Sequence, residues 1–264
     1  MTRTPTGTVH LVGAGPGDPE LLTVKAHRLL AQTDVVLHDD LVPAAILALA
    51  GPQAEVVNVG KRCGAKGITQ AEINARMIHS AHRGLDVVRL KSGDPGIFGR
   101  LAEEIDALSA AAVPFEIVPG ITAGLGAAAS LGVSLTDRRT SARIVVVTGY
   151  HAQKGRPRET PDWKHLAQHD ATLVIYMPGH DFASLQDEFL AAGLDAEIPA
   201  AIVSHATTPQ QRHEYTTIRD LDKLPRLAPP AILIVGRVLE NARRRGIENP
   251  LLALDETSLI LSAR

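Results

Sequence analysis

The sequence lacks several features that would assign it to a class of protein at once. It has one cysteine in 264 residues, which excludes an internal disulfide and a zinc site built from several thiolates. Aromatic residues make up 3% of the chain, too few for a platform on which nucleic-acid bases stack. The formal net charge is −2, so no overall basic field would attract the chain to nucleic acid or to a membrane.

Long apolar runs are also missing. No stretch approaches the roughly 18 residues of a membrane-spanning helix, and the first eight residues contain no apolar segment of the kind that a signal peptide needs. With 45% hydrophobic and 21% charged residues, the composition is that of a globular protein. We therefore expect a cytoplasmic protein of one large or two small domains that binds neither nucleic acid nor membrane.

Short β-branched runs alternate with helix-length segments along the chain. A first series, in which loops rich in glycine, proline or charge follow each run, predicts strands at 9–12, 34–37, 55–59, 86–90 and 115–118. A second series predicts strands at 143–148, 172–177, 200–204 and 231–235. This alternation predicts an α/β fold of two α/β domains with mostly parallel or mixed sheets. The expected domains are 1–118 and 119–241, with a surface extension at 242–264.

Two helices between these strands have clear sequence signals. Thr69–Glu72 reads TQAE, a capping box, with Ile68 and Ile73 at the staple positions around it. Apolar residues then recur at helical spacing until Gly84, which is typical of a helix end. The small residues of 119–132 predict a helix that connects the two domains.

The first strand is followed by GAGPGD at 13–18. A dinucleotide-binding fold would place GxGxxG here, but Asp18 replaces the third glycine and Pro16 removes a backbone N–H donor. The loop therefore suits a cation without phosphate better than a pyrophosphate. Ordinary turn chemistry explains the same residues equally well.

Charged residues follow the other strands of the first series. Asp94, in LKSGDP at 90–95, is either part of a ligand site at a strand end or the N-cap of a helix over 98–112. The pairs Asp39–Asp40 and Lys61–Arg62 are either site residues or solvated loop residues. Basic side chains that recur at these ends would suit a small polyanion; they are Lys61, Arg62, Arg89, Lys91, Arg100, Arg138 and Arg139. The eleven histidines have no metal-ligand spacing, so no metal is inferred.

Taken together, these segments resemble the uroporphyrinogen-III C-methyltransferase family of tetrapyrrole (class III) S-adenosylmethionine-dependent methyltransferases. The resemblance covers residues 8–239. It rests on segments in family order, namely VGAGPGDPELLT at 12–23, HDDLV at 38–42, VGKRCG at 59–64, QAEIN at 70–74, VVRLKSGDPGIFGR at 87–100, VPGITAG at 118–124, TLVIYM at 172–177 and AILIVGR at 231–237.

The resemblance implies the tetrapyrrole methylase fold, with S-adenosylmethionine in a cleft between the two domains and S-adenosylhomocysteine as its product. The implied cofactor contacts are Pro16, Ser92, Gly93, Asp94, Ile97, Thr122, Ala123, Met177 and Ala206. In the family the proposed proton acceptor matches Asp39 and the proposed proton donor matches Lys61. Whether Lys61 delivers a proton or holds a substrate carboxylate stays open.

The implied reaction is methylation of uroporphyrinogen III at C2 and C7, which gives precorrin-2 by way of precorrin-1 on the siroheme, cobalamin or haem d1 branch. The substrate's carboxylates would be anchored by Arg62, Lys91, Arg100 and Arg138. The resemblance also implies a homodimer. The alternative is a methyltransferase of the same fold that acts on a later corrin precursor.

Several positions depart from the usual family pattern, among them Ser92, His38 and Asp40. Ser92 replaces the first glycine of GGDP, and would be strained if the backbone there has positive φ. His38 and Asp40 stand where tyrosine and arginine are common. These departures bear on substrate handling more than on the class of reaction.

Overall fold

The computed structural model describes residues 6–60, 68–149, 161–167 and 170–240. Within these ranges the chain forms an α/β structure with ten strands in two five-stranded sheets. It divides into two compact units, Met1–Ala123 and Gly124–Arg264. Among the described residues, no helix has the length and apolar character needed to cross a membrane. The predicted α/β fold with two sheets is confirmed.

The N-terminal unit is built on an all-parallel sheet in the order β3-β2-β4-β1-β5. Its strands are β1 (Val9–Gly13), β2 (Val35–His38), β3 (Glu55–Asn58), β4 (Val87–Lys91) and β5 (Phe115–Val118). Its helices are α1 (Val24–Gln32), α2 (Ala44–Leu47), α3 (Gln70–His82) and α4 (Leu101–Ala110). Because all five strands are parallel, the loops that follow them lie at one edge of the sheet, the carboxyl edge.

Alternate side chains of this sheet enter two separate cores. On one face, Val9, Leu11 and Val87 pack with Met77 of α3 and Leu108 of α4. The other core contains residues of β1, β2 and β4 together with residues of α1 and α2. Odd-numbered positions of β4 therefore point to the face that α3 and α4 cover.

The two predicted helix signals are confirmed. Thr69 caps α3 in a capping box with Glu72, and Gly84 adopts φ +82° just after the helix. The small residues form α5 (Ala123–Ser130). The helix predicted over 98–112 is shorter, because Phe98 and Arg100 have φ values of 53° and 56° and interrupt helical geometry before Leu101.

The C-terminal unit has a mixed sheet in the order β6-β7-β10-β8-β9. Its strands are β6 (Arg143–Thr148), β7 (Ala171–Tyr176), β8 (Pro199–Ser204), β9 (Arg212–Thr217) and β10 (Ala231–Val235). Helices α6 (Trp163–Leu166) and α7 (Phe182–Ala191) complete it. Only the β6–β7 pair is parallel, and the other neighbours are antiparallel.

Strand β9 was missing from the sequence prediction. It is an edge strand whose first half is exposed, and its sequence RHEYTT has no buried apolar alternation. The predicted strand over 172–177 also ends one residue early, because Met177 has φ 49°. A core of side chains from β7, β8, β10 and α7 holds this unit together, including Phe189 and Leu233.

Candidate functional site

The loops after β1 and β4, called the first and fourth loops after the strands they follow, are joined by backbone hydrogen bonds. The Ala14 N–H donates to the Lys91 carbonyl oxygen at 2.7 Å. Gly15 and Gly93 exchange two hydrogen bonds, with N···O distances of 3.1 and 2.8 Å. Three backbone amides of the first and fourth loops are therefore already bonded within the protein.

The loop after β5, called the fifth loop, also contacts the first and fourth loops, because glycines stand at the points of contact. A Cβ atom at Gly120 would lie 2.3 Å from the Gly93 carbonyl oxygen, and one at Gly13 would lie 2.6 Å from the Gly120 nitrogen. Real Cβ atoms do not approach so closely, so the backbones touch only because side chains are missing. Gly93 adopts φ +70° and lies against Thr122.

The Asp94 side chain accepts hydrogen bonds from two of these loops. Its Oδ1 accepts from the Gly96 N–H at 2.8 Å, and its Oδ2 accepts from the Gly120 N–H at 3.0 Å. The alternative in which Asp94 caps the following helix is wrong, since α4 begins at Leu101 with Arg100 at its N-cap position. The Asp94 carboxylate instead fixes the fifth loop to the fourth.

The cofactor-binding residues predicted in the N-terminal unit lie on these three joined loops or directly after them. Pro16 lies on the first loop, and 92–97 is part of the fourth. Thr122 lies on the loop after β5, and Ala123 is the first residue of α5. Ile97 is 37% exposed. Ser92 does not have positive φ, because Gly93 takes the left-handed position. The serine is therefore accommodated without the strain considered above.

Met177 and Ala206, the other two predicted cofactor contacts, belong to the C-terminal unit. Met177 directly follows β7, and Ala206 lies two residues beyond β8. Ile232 of β10 pairs with Tyr176 on one side and with Val203 on the other. The ends of β7 and β8 therefore lie at one edge of the second sheet, on either side of the start of β10.

Asp39, the predicted proton acceptor, lies at the end of β2 and is paired with a buried cation. Its Oδ1 accepts from Arg89 Nη2 at 2.5 Å, while its side chain remains 30% exposed. Its backbone N–H donates to the Leu90 carbonyl oxygen at 3.2 Å, which ties the second loop to β4. His38 is buried at the strand end, with Nδ1 3.0 Å from the Asp39 carbonyl oxygen.

Arg89 and Lys91 form a buried network with Glu104 of α4. Arg89 Nε donates to Glu104 Oε1 at 3.0 Å, and Lys91 Nζ donates to Oε1 and Oε2 at 2.9 and 2.8 Å. Gln70 of α3 adds a weaker donor at 3.3 Å. Burial, and then the nearby charge of Arg89, lowers the pKa of Lys91 below its usual value.

This placement corrects the role expected of Lys91. Its side chain is 3% exposed and both oxygens of Glu104 accept from its ammonium group. An ammonium group held in this way has no surface to offer a substrate carboxylate. Lys91 is therefore part of the internal charge network and not an anchor.

Of the other predicted anchors, Arg100 and Arg138 are exposed. Arg100 donates to both oxygens of Glu103, at 2.7 and 2.5 Å, and this bond raises the pKa of Arg100. Lys61 and Arg62 lie outside the described residues. Within the described ranges, no group of three or more His, Cys, Asp or Glu side chains is placed to hold a metal ion.

The loops after β2 and β3 are also in contact. Asn58 Nδ2 donates to Asp40 Oδ1 at 2.7 Å, and the Gly60 N–H donates to Asn58 Oδ1 at 2.7 Å. A Cβ atom at Gly60 would lie 2.3 Å from the Asp40 nitrogen. The residue just before Lys61 therefore lies against the loop that carries Asp39.

The residue that sequence reasoning missed is Glu104. It gave no motif and appeared as one of several polar residues in a helix. The available signal was in β4, where Arg89 and Lys91 share the face that α3 and α4 cover. Buried cations need a buried acid, and Glu104 is 0% exposed on α4.

The family model for Tetrapyrrole (Corrin/Porphyrin) Methylases matches residues 8–222. Siroheme synthase 1 of Klebsiella pneumoniae is 43% identical over 237 residues, which are 89% of this chain and 50% of that protein. The siroheme synthase of Nitrosomonas europaea is 44% identical over 239 residues, with the same coverage. The chain thus spans about half the length of the curated relatives it matches.

Solved structures give a closer match in length. Uroporphyrin III C-methyl transferase from Thermus thermophilus is 38% identical with a TM-score of 0.77, over 89% of this chain and 100% of that chain. The same enzyme complexed with S-adenyl homocysteine has a TM-score of 0.76 at 38% identity, over 89% and 94% of the two chains. A cobalt precorrin-4 methyltransferase is 31% identical with a TM-score of 0.78, over 88% and 95%.

Proposed function

Because the chain belongs to the tetrapyrrole (corrin/porphyrin) methylase family, we propose that it methylates uroporphyrinogen III with S-adenosylmethionine. Transfer to C2 and C7 would give precorrin-2 by way of precorrin-1, for siroheme, cobalamin or haem d1 synthesis. The observation that carries the proposal is the 38% identity to the Thermus thermophilus enzyme along all of that chain. We further propose that the protein is a cytoplasmic homodimer.

The carboxyl-edge loops fit a methyl donor without phosphate better than a dinucleotide. Pyrophosphate groups bind to unpaired backbone N–H groups at such loops. Here the amides of Ala14, Gly15 and Gly93 already donate to protein carbonyl oxygens, and Pro16 has no N–H. S-adenosylmethionine carries a sulfonium cation and no phosphate, so this pairing does not oppose it.

We propose that the methyl donor contacts the joined loops of the N-terminal unit. The residues that would hold it are Pro16, Ser92, Gly93, Asp94, Ile97, Thr122 and Ala123. Met177 and Ala206 are the contacts proposed from the C-terminal unit. Asp94 would act mainly through its two backbone hydrogen bonds, which hold the fourth and fifth loops in place.

The reaction makes modest chemical demands on the protein. The sulfonium supplies an already activated methyl group, and the pyrrole carbon is electron-rich, so no covalent intermediate is needed. The protein aligns the two reactants and excludes water, which lowers the entropic part of the barrier. Methylation makes the ring cationic, and a carboxylate nearby stabilises that charge and accepts a proton.

Asp39 is the residue proposed for this role. It is ionisable, 30% exposed and held at one oxygen by Arg89. Lys61, one residue beyond Gly60, is proposed either to deliver a proton or to hold a substrate carboxylate. Arg62, Arg100 and Arg138 are proposed to anchor the remaining carboxylates, since guanidinium groups bind them bidentately.

A methyltransferase acting on a later corrin precursor is the second candidate. One observation favours it, namely the TM-score of 0.78 to the cobalt precorrin-4 methyltransferase, which matches the 0.77 of the Thermus enzyme. The higher sequence identity to the latter, 38% against 31%, favours uroporphyrinogen III.

Anaerobic incubation with uroporphyrinogen III and labelled S-adenosylmethionine tests the proposal. We expect a product with two labelled methyl groups, identified by its mass. Label transfer to a later corrin precursor in a parallel reaction, with none to uroporphyrinogen III, would support the second candidate instead. A thermal-shift comparison of S-adenosylhomocysteine with NAD checks the cofactor class, and light scattering tests the dimer.

A further inference from the structure

We infer that Glu104 is a positioning residue for Asp39 and acts on it through the guanidinium group of Arg89. The inference rests on the proposed function, because it concerns the group that would accept the proton in that reaction. Glu104 lies on α4 and does not bond to Asp39 itself. Its effect is transmitted by the buried side chain between them.

The connection begins with the alternation of β4. Arg89 and Lys91 are two residues apart, so they lie on the same face of the sheet. Helix α4 covers this face and places the fully buried Glu104 carboxylate between the two cations. The distances to it are 3.0 Å from Arg89 Nε and 2.8 Å from Lys91 Nζ.

The guanidinium group of Arg89 connects Glu104 to Asp39. Its plane is rigid, so fixing one nitrogen fixes the direction of the others. Nε is bound to Glu104, Nη1 donates to the Leu37 and Leu90 carbonyl oxygens at 3.2 and 3.3 Å, and Nη2 donates to Asp39 Oδ1. Asp39 therefore receives its hydrogen bond from a donor that the protein interior holds on every side.

Charge explains why Glu104 is needed for this arrangement. Without it, two cations would be buried next to each other with no acid between them. Arg89 already disfavours the charged form of Lys91, and the pKa of Lys91 falls mainly through burial. Neutralising Glu104 would drive the Arg89 side chain towards solvent and release its hold on Asp39.

A role confined to stability would predict a different result, and a double-mutant cycle separates the two. Glu104→Gln keeps the shape of the side chain and removes its charge. If Glu104 acts through Asp39, the effect of Glu104→Gln on catalysis should disappear once Asp39 is already Asn. A general loss of structure would lower turnover by the same factor in both backgrounds.

Single-turnover methyl transfer from labelled S-adenosylmethionine to uroporphyrinogen III is the measurement, made on the parent chain, both single variants and the double variant. We expect Glu104→Gln to lower the rate about 10- to 100-fold, as misplacement of a reacting group does. We also expect the KM for S-adenosylmethionine to be unchanged. In the Asp39→Asn background we expect no further decrease.

Leu108→Ala provides a matched control on the same helix. Leu108 is fully buried in the core beneath α4 and is not part of the charge network. This variant should lower the melting temperature while the rate per folded molecule stays at the parent value. It shows what destabilisation of α4 does by itself.

A second variant decides the matter if Glu104→Gln does not fold by circular dichroism. Arg89→Lys keeps the positive charge but has no planar fork to join Glu104 and Asp39, so its cycle with Asp39→Asn should give the same coupling. Equal rate losses in both Asp39 backgrounds, or a parent rate for the single Glu104→Gln variant, would overturn the inference alone. A parent chain that methylates neither uroporphyrinogen III nor a later corrin precursor would overturn the proposed function and the inference together.

Discussion

The two units differ in the polar side chains that they bury. In the described part of the N-terminal unit, three charged side chains are buried, namely Arg89, Lys91 and Glu104. The buried polar residues described in the C-terminal unit are uncharged, and they are Ser130, Ser141, Thr172, Ser204 and Gln211. Buried charge is costly unless it is paired. These buried charges, and the free energy that burying them costs, thus lie in the unit that carries Asp39, the proton acceptor that we propose.

The largest expected effect tests whether this charged region serves catalysis. Asp39→Asn keeps an acceptor oxygen for Arg89 but removes the negative charge and the proton acceptor. We expect turnover to fall by roughly 10²–10⁴-fold, the usual contribution of general acid–base catalysis. Binding of S-adenosylhomocysteine, measured by calorimetry, should be unchanged.

Asp222→Asn is the matched control, because it removes an exposed carboxylate from the C-terminal unit. It should leave turnover at the parent rate. If Asp39→Asn methylates uroporphyrinogen III as fast as the parent chain, Asp39 is not the base, and it becomes an ordinary loop acid.

A second prediction compares the stability that the two kinds of buried polar group provide. Arg89→Met leaves Glu104 with Lys91 as its single cationic partner, and we expect a loss of about 3–5 kcal/mol in the free energy of unfolding. Thr172→Val removes a neutral hydroxyl that lies 2.7 Å from the hydroxyl of Ser141. Its expected cost is about 1 kcal/mol.

Urea unfolding of both variants checks this difference. Similar losses for Arg89→Met and Thr172→Val would show that the buried charges contribute no more to stability than the hydroxyl pair. The contrast between the two sheets would then be one of composition alone.

A third prediction concerns the edges of the two sheets. A Cβ atom at Gly120 would lie 2.3 Å from the Gly93 carbonyl oxygen, so Gly120→Ala should force the joined loops apart at a cost of about 1–3 kcal/mol. It should also weaken binding of S-adenosylhomocysteine. Gly179, after β7, has φ +74° and open space around it. Gly179→Ala is therefore the control, because it introduces backbone strain at a positive φ angle but no steric clash. An equal fall in melting temperature for the two variants would count against the close contact.

The smallest expected effect involves an exposed ion pair of the N-terminal sheet. The hydrogen bond from Lys25, and that from His10, lower the pKa of Glu116 below its usual value of 4.5. A lowered folded pKa means that the ionised group stabilises the fold above pH 4.5, and that this contribution is lost as pH falls through the folded value. Glu116→Gln should therefore flatten the acid side of the stability curve slightly.

The sequence was most informative where local rules determine the structure. The capping box at Thr69 predicts α3 because its hydrogen bonds join residues three positions apart, and the structure contains both of them. The inner strands of the first series, β1, β2 and β4, are predicted for a similar reason, since parallel strands buried on both faces are continuous β-branched runs.

Features that depend on distant residues could not be predicted in this way. Edge strand β9 lacks a buried face, so its pattern resembles a loop. The partnership of Glu104 with Arg89 joins residues 15 positions apart through tertiary packing. The alternation of β4 placed both cations on one face, but only the position of α4 reveals which acid neutralises them.

The network around Glu104 also has a consequence for local unfolding. Helix α4 cannot detach from the sheet without leaving Arg89 and Lys91 beside apolar side chains and without their acid. Opening of α4 and loosening of the end of β4 should therefore occur as one cooperative event, with shared protection of their amides from hydrogen exchange. The rigidity of Asp39 is then set by the opening free energy of a helix to which it does not belong.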